Sequence, residues 1–246
     1  MAHDRTFSLA VIDMAGTTVD DGALQEEALT CALGAQGVHE GTAAFDAMTA
    51  SARRAMGTPR ELVFRRLFDD AATAADANRT FEAAYDTLLA RYGVQPVPGA
   101  EEAILALRDA GLRICLATGA GRHTQNMILD SLGWMGLADL SLCPSDAGRG
   151  RPYPDIILTA VLALDIEDVR SVLVAGDTTS DVLAGRRAGA GAVVGVLTGV
   201  YAEAELRLAG ADVVLPSMCH LPQWLPSGAG TDQQRVPSAG TVPSMK

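Results

Sequence analysis

The sequence predicts an α/β protein built on a doubly wound parallel sheet, interrupted near its start by a small all-helical insertion. Three observations carry this. Short Val- and Ile-rich apolar runs, Phe7 to Ile12, Ile114 to Ala117 and Val172 to Gly176, have the length of buried strands. Helix-patterned segments alternate with them, and that alternation implies parallel pairing with right-handed crossovers. From Asp20 to about Gln95 the pattern is helical throughout, rich in Ala, Leu, Glu and Arg, with no convincing strand.

The first strand ends abruptly at Asp13. Gly16 then permits a tight turn, and Thr17 and Thr18 add hydroxyls where an open α/β sheet holds ligands, beyond a strand's C-terminal end. Asp13 by itself reads equally as the cap of a turn. In the insertion, Leu24, Ala28, Leu29 and Leu33 recur at helical spacing, as do Leu62, Phe64, Leu67 and Phe68 around Arg65 and Arg66; both groups read as core faces of a bundle. Gln95-Pro96-Val97-Pro98-Gly99 breaks the helix and forms a linker. Beyond it come a helix over Ala100 to Ala110, closed by Gly111, and a strand over Leu112 to Ala117 that delivers Thr118. A helix over Arg122 to Leu132 and a short strand over Leu140 to Cys143 lead to Arg151. A helix from about Asp155 to Leu164 precedes the strand Ser171 to Ala175, which delivers Asp177. A helix over Ser180 to Ala188 and a last strand around Ala192 to Leu197 complete the sheet. The division expected is a core of residues 1–19 and 97–223, a helical insertion of 20–96, and a disordered tail of 224–246 dominated by Ser, Gly, Thr, Pro and Gln.

With 246 residues, 48% of them apolar and 20% charged, the chain is long and apolar enough to bury a real core. No apolar run approaches the ~18 residues of a membrane span. Met1 to Thr6 is polar and runs straight into the first strand, so a signal peptide is not expected and a cytoplasmic protein is. Cys31, Cys115, Cys143 and Cys219 form no Cys-x-x-Cys pair and read as scattered buried thiols, and His3, His39, His123 and His220 are equally dispersed. The net charge of −11 argues against a nucleic-acid surface, although a small anion needs only a favourable local field.

Thr118, Arg151 and Asp177 change the weight of Asp13. Together they supply what phosphoryl transfer needs: a nucleophile, a hydroxyl, a cation and metal-binding carboxylates. The set Asp13-Met14-Ala15-Gly16-Thr17-Thr18, Thr118, Arg151-Pro152-Tyr153-Pro154 and Gly176-Asp177-Thr178-Thr179-Ser180-Asp181 resembles the haloacid dehalogenase superfamily. Ala15 followed by Gly-Thr-Thr-Val-Asp looks like its phosphonoacetaldehyde hydrolase (phosphonatase) branch. The resemblance implies a Rossmann-like core with a helical cap closing over the site. It implies Asp13 as nucleophile, Thr118 and Arg151 as phosphoryl-binding groups, and Mg²⁺ held by Asp13, the Ala15 carbonyl and Asp177. Asp181 is either a ligand, an orienting group or a helix-start carboxylate. Thr17, Gly119, Met56 and Arg60 complete the expected substrate-binding set.

Two departures from the phosphonatase pattern bear on the reaction. That branch carries an imine-forming lysine in a Met-Gly-x-x-Lys context, where Met56-Gly57-Thr58-Pro59-Arg60 places arginine; its cap histidine position is Val63. Lys246 is the only lysine in the chain. Guanidinium does not form the imine, so a phosphatase acting on a small phosphorylated metabolite is expected ahead of a carbon–phosphorus hydrolase or a non-catalytic phosphate-binding protein. Most phosphatases of the superfamily carry an aspartate at the position of Ala15. No nucleic-acid or membrane partner is expected, and a homodimer is compatible with the pattern.

Overall fold

The computed structural model describes residues 6–225. In chain order its elements are β1 (Leu9–Asp13), β2 (Val19–Asp20), α1 (Leu24–Ala35), α2 (Ala43–Arg54), α3 (Arg60–Leu67), α4 (Ala71–Tyr92), β3 (Gln95–Pro96), α5 (Ala100–Asp109), β4 (Arg113–Ala117) and α6 (Arg122–Ser131). There follow β5 (Leu140–Leu142), α7 (Pro144–Ala147), α8 (Asp155–Ala163), β6 (Val172–Gly176), α9 (Thr179–Ala188), β7 (Ala192–Val196), α10 (Glu203–Ala209), β8 (Val213–Leu215) and α11 (Leu221–Trp224).

Six strands form one parallel sheet in the order β5-β4-β1-β6-β7-β8. β1 lies between β4 and β6 and is buried along its whole length. Its side chains alternate between the two faces. Ala10 and Ile12 join one apolar cluster with Ile114, Leu116 and Leu173, while Leu9 and Val11 join another with Cys115, Val172 and Val174. Burial on both faces is why the strand reads as a continuous apolar run, and enclosing Ile12 alone contributes roughly 1.5–3 kcal/mol. The chain runs outward from β1 through β4 to β5 and then returns to place β6 on the other side. The crevice of this reversal opens at the C-terminal end of β1, at Asp13.

The helices α1 to α4 occupy the span between β2 and β3, and those two short strands pair antiparallel, Val19 with Pro96 and Asp20 with Gln95. Asp70 starts α4 by accepting a hydrogen bond from Thr73 N at 2.7 Å, and Thr42 does the same for α2 from Phe45 N. Leu24, Ala28, Leu29 and Leu33 of α1 are buried with Ala74, Ala77, Phe81 and Leu89 of α4. The alanines allow the close approach, and the rings of Phe64, Phe81 and Tyr85 succeed one another at 5.9 and 6.1 Å between centroids.

The structure departs from the sequence reading in several places. Leu62 is 39% exposed, whereas Phe64 is buried, because an eight-residue α3 directs only one narrow stripe inward. Cys115 and Cys143 are buried as expected, but Cys31 is exposed on α1 and Cys219 is half-buried. β7 is not the last strand: α10 and the three-residue β8 extend the sheet by one more unit, with Val213 pairing with Val194. Trp224, assigned to the tail, lies in α11 and stacks on Phe7 with centroids 6.4 Å apart. Leu225, also assigned to the tail, packs against the core with its N–H donating to Leu221 O, and residues 226–246 lie outside the described residues. Among the described residues no helix is long and apolar enough to cross a membrane.

Candidate active site

Three strand ends assemble the site. Asp13 ends β1, and its register neighbour on β4 is Ala117, so Thr118 emerges beside it. On the other side Ile12 pairs with Ala175, which places Asp177 just beyond the end of β6. Asp13, Thr118, Arg151, Asp177 and Asp181 are all buried although polar, which happens only where such groups answer one another or a ligand.

Arg151 is the centre of this answer. Its Nη1 lies 2.6 Å from Asp13 Oδ1 and also donates to Asp181 Oδ1. Burial alone would lower the Arg151 pKa, but the Asp13 and Asp181 carboxylates outweigh it and hold the pKa above its usual value. Asp181 also closes a capping box at the start of α9: its Oδ2 accepts from Thr178 N at 3.1 Å and from the Thr178 hydroxyl, while its own N–H donates to Thr178 Oγ1 at 3.2 Å. Asp181 is thus a helix-start carboxylate and an ion partner of Arg151. Thr17 is fully buried and donates to Asp177 Oδ1 at 2.9 Å, so its hydroxyl positions a carboxylate rather than facing the pocket. Thr118 Oγ1 accepts from Ala120 N at 3.1 Å, which orients its hydroxyl at the start of the loop holding Gly119.

The three carboxylates face one guanidinium, so a buried negative excess remains. Burial pushes Asp13 well above the usual carboxylate range; Arg151 opposes the shift, and Asp181 and Asp177 add to it. Asp177 is pushed up to about 7 by burial and by Asp181, against the hydrogen bond from Thr17 and the charge of Arg151. One oxygen from each of Asp13, Asp177 and Asp181 lies within 4.8 Å of the others. An all-oxygen donor set with surplus negative charge fits a hard divalent cation such as Mg²⁺.

Two adjoining cavities lie between the sheet and the inserted helices. The larger, about 400 Å³, is lined by Ala15, Asp21, Met56, Arg60 and Val63 among others. The smaller holds Asp13, Thr118, Gly119 and Arg151. Ala15, Met56 and Arg60 border both, so Met56 and Arg60, which are predicted from sequence, do meet the strand-end residues. Gln25, Phe81 and Tyr85 also line this space, and nothing in the sequence singled them out. Their helix faces were legible as apolar, but the register of α1 against α4 was not. Thr178 could have been found, since Thr178-x-x-Asp181 is a capping-box pattern. Thr198 and Gly199, in the loop after β7, were missed too; Thr198 donates to Gly16 O at 2.6 Å, and a Cβ on Gly199 would lie 1.8 Å from Asp177 Oδ2.

A family model described as haloacid dehalogenase-like hydrolase matches residues 7–189. Among curated proteins, the phosphonoacetaldehyde hydrolase of Bacillus cereus (strain G9842) is 31% identical over 140 residues, which cover 55% of this chain and 52% of that protein. The phosphonoacetaldehyde hydrolase of Bacillus thuringiensis (strain Al Hakam) is 30% identical over 154 residues, 61% of this chain and 56% of that one. The chain thus spans about half the length of the curated relatives it matches. Among solved structures, a hydrolase from Pseudomonas syringae superposes with a TM-score of 0.76 at 26% identity, covering 88% of this chain and 97% of that one. A phosphonoacetaldehyde hydrolase like protein from Oleispira antarctica shares the fold, with a TM-score of 0.69 at 23% identity over 90% and 94% of the two chains. The match of the family model across β1, β4 and β6 with their strand-end residues establishes that the chain belongs to the haloacid dehalogenase-like hydrolases.

Proposed function

We propose that this chain is a Mg²⁺-dependent phosphatase that hydrolyses a small phosphorylated metabolite through an aspartyl-phosphate on Asp13. The observation that carries the reading is the buried Arg151 between Asp13 and Asp181, with Asp177 beside them and a cavity opening from the group. In the first step an Asp13 carboxylate oxygen attacks phosphorus, and the bond from phosphorus to the leaving oxygen breaks in line with it. In the second, water attacks the same phosphorus, the bond to Asp13 breaks, and phosphate and a free carboxylate result. Arg151 and the Thr118 hydroxyl bind the equatorial phosphoryl oxygens, and Arg151 neutralises the charge that develops there. Asp181 holds Arg151 in place, and Thr17 holds Asp177. When bound by Asp13, the Ala15 carbonyl and Asp177, Mg²⁺ offsets the repulsion between carboxylate and phosphate.

The inserted helices serve as a cap that excludes water and selects the substrate. Among the described residues, 6–19 and 97–223 then form the catalytic core and 20–96 the cap. Similarity to phosphonoacetaldehyde hydrolases supports the phosphoryl-transfer chemistry, but the carbon–phosphorus reaction of that branch needs an amine that Arg60 does not offer. The deciding experiment is metal-dependent turnover of a panel of phosphate monoesters that also includes phosphonoacetaldehyde. Hydrolysis of a monoester with Mg²⁺, lost on chelation, is expected; cleavage of phosphonoacetaldehyde alone, or of nothing, contradicts the proposal.

A further inference from the structure

The steps above make no use of Arg60, yet its setting is unusual for a cation. It opens α3, its guanidinium carbon lies 3.9 Å from the centroid of the Phe81 ring, and it borders both cavities. It forms no salt bridge among the described residues, in contrast to Arg53, Arg122 and Arg151. Its hydrogen bond to Gln25 Oε1 is 3.5 Å long, at the limit of such an interaction. The acidic groups that influence it are Asp21 and Glu82, with the Tyr85 phenol nearby, and burial opposes their effect. Asp21 is already engaged: its Oδ2 accepts from Gln25 Nε2 at 2.7 Å and from the Tyr85 hydroxyl at 3.0 Å. An enclosed guanidinium without a carboxylate partner, stacked on an aromatic ring and facing a cavity, is a site for an external anion.

The larger cavity supports this. Its 400 Å³ falls in the range of small-molecule sites and exceeds what a two-carbon phosphonate requires. Thr49, which lines the same cavity, has a buried hydroxyl without a hydrogen-bond partner, a further unmet demand for a polar ligand atom. We infer that the part of the substrate that leaves with the ester oxygen carries a carboxylate, bound by Arg60 while the phosphoryl group occupies the Asp13 end; this rests on the phosphatase reading. The planar fork of Arg60 offers a carboxylate two parallel N–H bonds, and the Phe81 ring fixes the plane of approach. With Asp21 and Glu82 close by, a single negative charge suits the position better than the double charge of a second phosphate.

The test uses pairs of aryl phosphates matched in leaving-group pKa, one member of each pair bearing a ring carboxylate, and a bisphosphate as a third arm. The parent protein with Mg²⁺ is expected to favour the carboxylated member by about tenfold or more in kcat/KM. Arg60→Ala brings that ratio to within about threefold of unity, and Arg60→Lys, which keeps the charge without the fork, gives an intermediate ratio. A ratio taken within one variant is insensitive to a loss shared by both substrates. Dissociation constants of the same pairs for Asp13→Asn give the preference without turnover. If the parent hydrolyses no monoester, the phosphatase reading falls, and these constants still decide the Arg60 assignment. Equal constants for the two members, a preference that survives Arg60→Ala, or a stronger preference for the bisphosphate overturns it.

Discussion

Gly57 offers a sharp test of whether contact between the inserted helices and the sheet matters for turnover. It has φ of +82°, and a Cβ built on it would lie 2.2 Å from Thr178 Oγ1, 2.8 Å from Thr178 Cβ and 2.9 Å from Thr178 Cγ2. Thr178 is the N-cap of α9 and holds Asp181, which in turn holds Arg151. In Gly57→Ala the backbone strain alone costs about 1–2 kcal/mol, or roughly 2–8 °C in Tm for a chain of this size. Restoring an ordinary 3.4 Å contact requires a separation of about 1.2 Å between the turn after α2 and Thr178. Misplacement by about 1 Å costs on the order of 10²-fold in rate, so kcat/KM for an aryl phosphate should fall by about that factor while the protein stays folded. Gly37→Ala is the control, because Gly37 has φ of +79° with nothing within 4 Å of its Cβ position and pays the strain without the collision. Gly37→Ala is expected to lose a few degrees of Tm and no activity. If Gly57→Ala matches Gly37→Ala in both measurements, the close approach at Thr178 has no part in turnover.

Other outcomes follow from the same site. Asp13→Asn is expected to reduce kcat by at least about 10³-fold with folding verified by circular dichroism, and a rate within tenfold of the parent refutes the covalent route. Asp177 has a raised pKa, so the metal-free folded protein binds a proton that the unfolded chain has lost, and this contribution to stability declines as pH rises from about 4 to about 7. A cation must displace that proton; Mg²⁺ at about 100 times its dissociation constant should add roughly 2.7 kcal/mol, seen as a Tm rise that is larger at about pH 8 than at about pH 5. A larger rise at the lower pH contradicts the assignment of Asp177 as a ligand. Ala15 lines both cavities and cannot donate a proton, and general acid catalysis commonly contributes ~10²–10⁴-fold. A plot of log kcat/KM against leaving-group pKa should therefore slope steeply downward, and a flat plot means that another group protonates the leaving oxygen.

The sheet was legible because β1, β4 and β6 are buried on both faces over nearly their whole length and so appear as apolar runs that break at a polar residue; the breaks at Asp13, Thr118 and Asp177 carried weight only when taken together with Arg151. β8 gave no such signal, since its three residues are only half-buried at the sheet edge. Arg151 required the strand ends to be known first, because a lone arginine in a Pro-rich loop carries no periodicity. The Thr17 hydroxyl was expected to face phosphate, but the turn at Gly16, with φ of +79°, directs it to Asp177 instead. Arg60 was expected, but that Tyr85 and Gln25 join it depends on how α1, α3 and α4 rotate against one another, a tertiary property that helical spacing does not encode.

The short ribbon of β2 and β3 has a consequence for how such a molecule diversifies. The chain departs for the inserted helices and comes back at neighbouring residues, Val19 opposite Pro96, with Val97 N donating to Thr18 O at 2.9 Å. To the sheet, the whole excursion is therefore a loop whose two ends are already pinned together. Doubling the length of such a loop costs only about 0.6 kcal/mol in closure entropy, so its sequence is nearly free to lengthen, shorten or be exchanged. Under the proposed function, the chemistry at the strand ends and the choice of what reaches it would lie on separable stretches of chain, so that the excursion could be rewritten while Asp13 stays where it is.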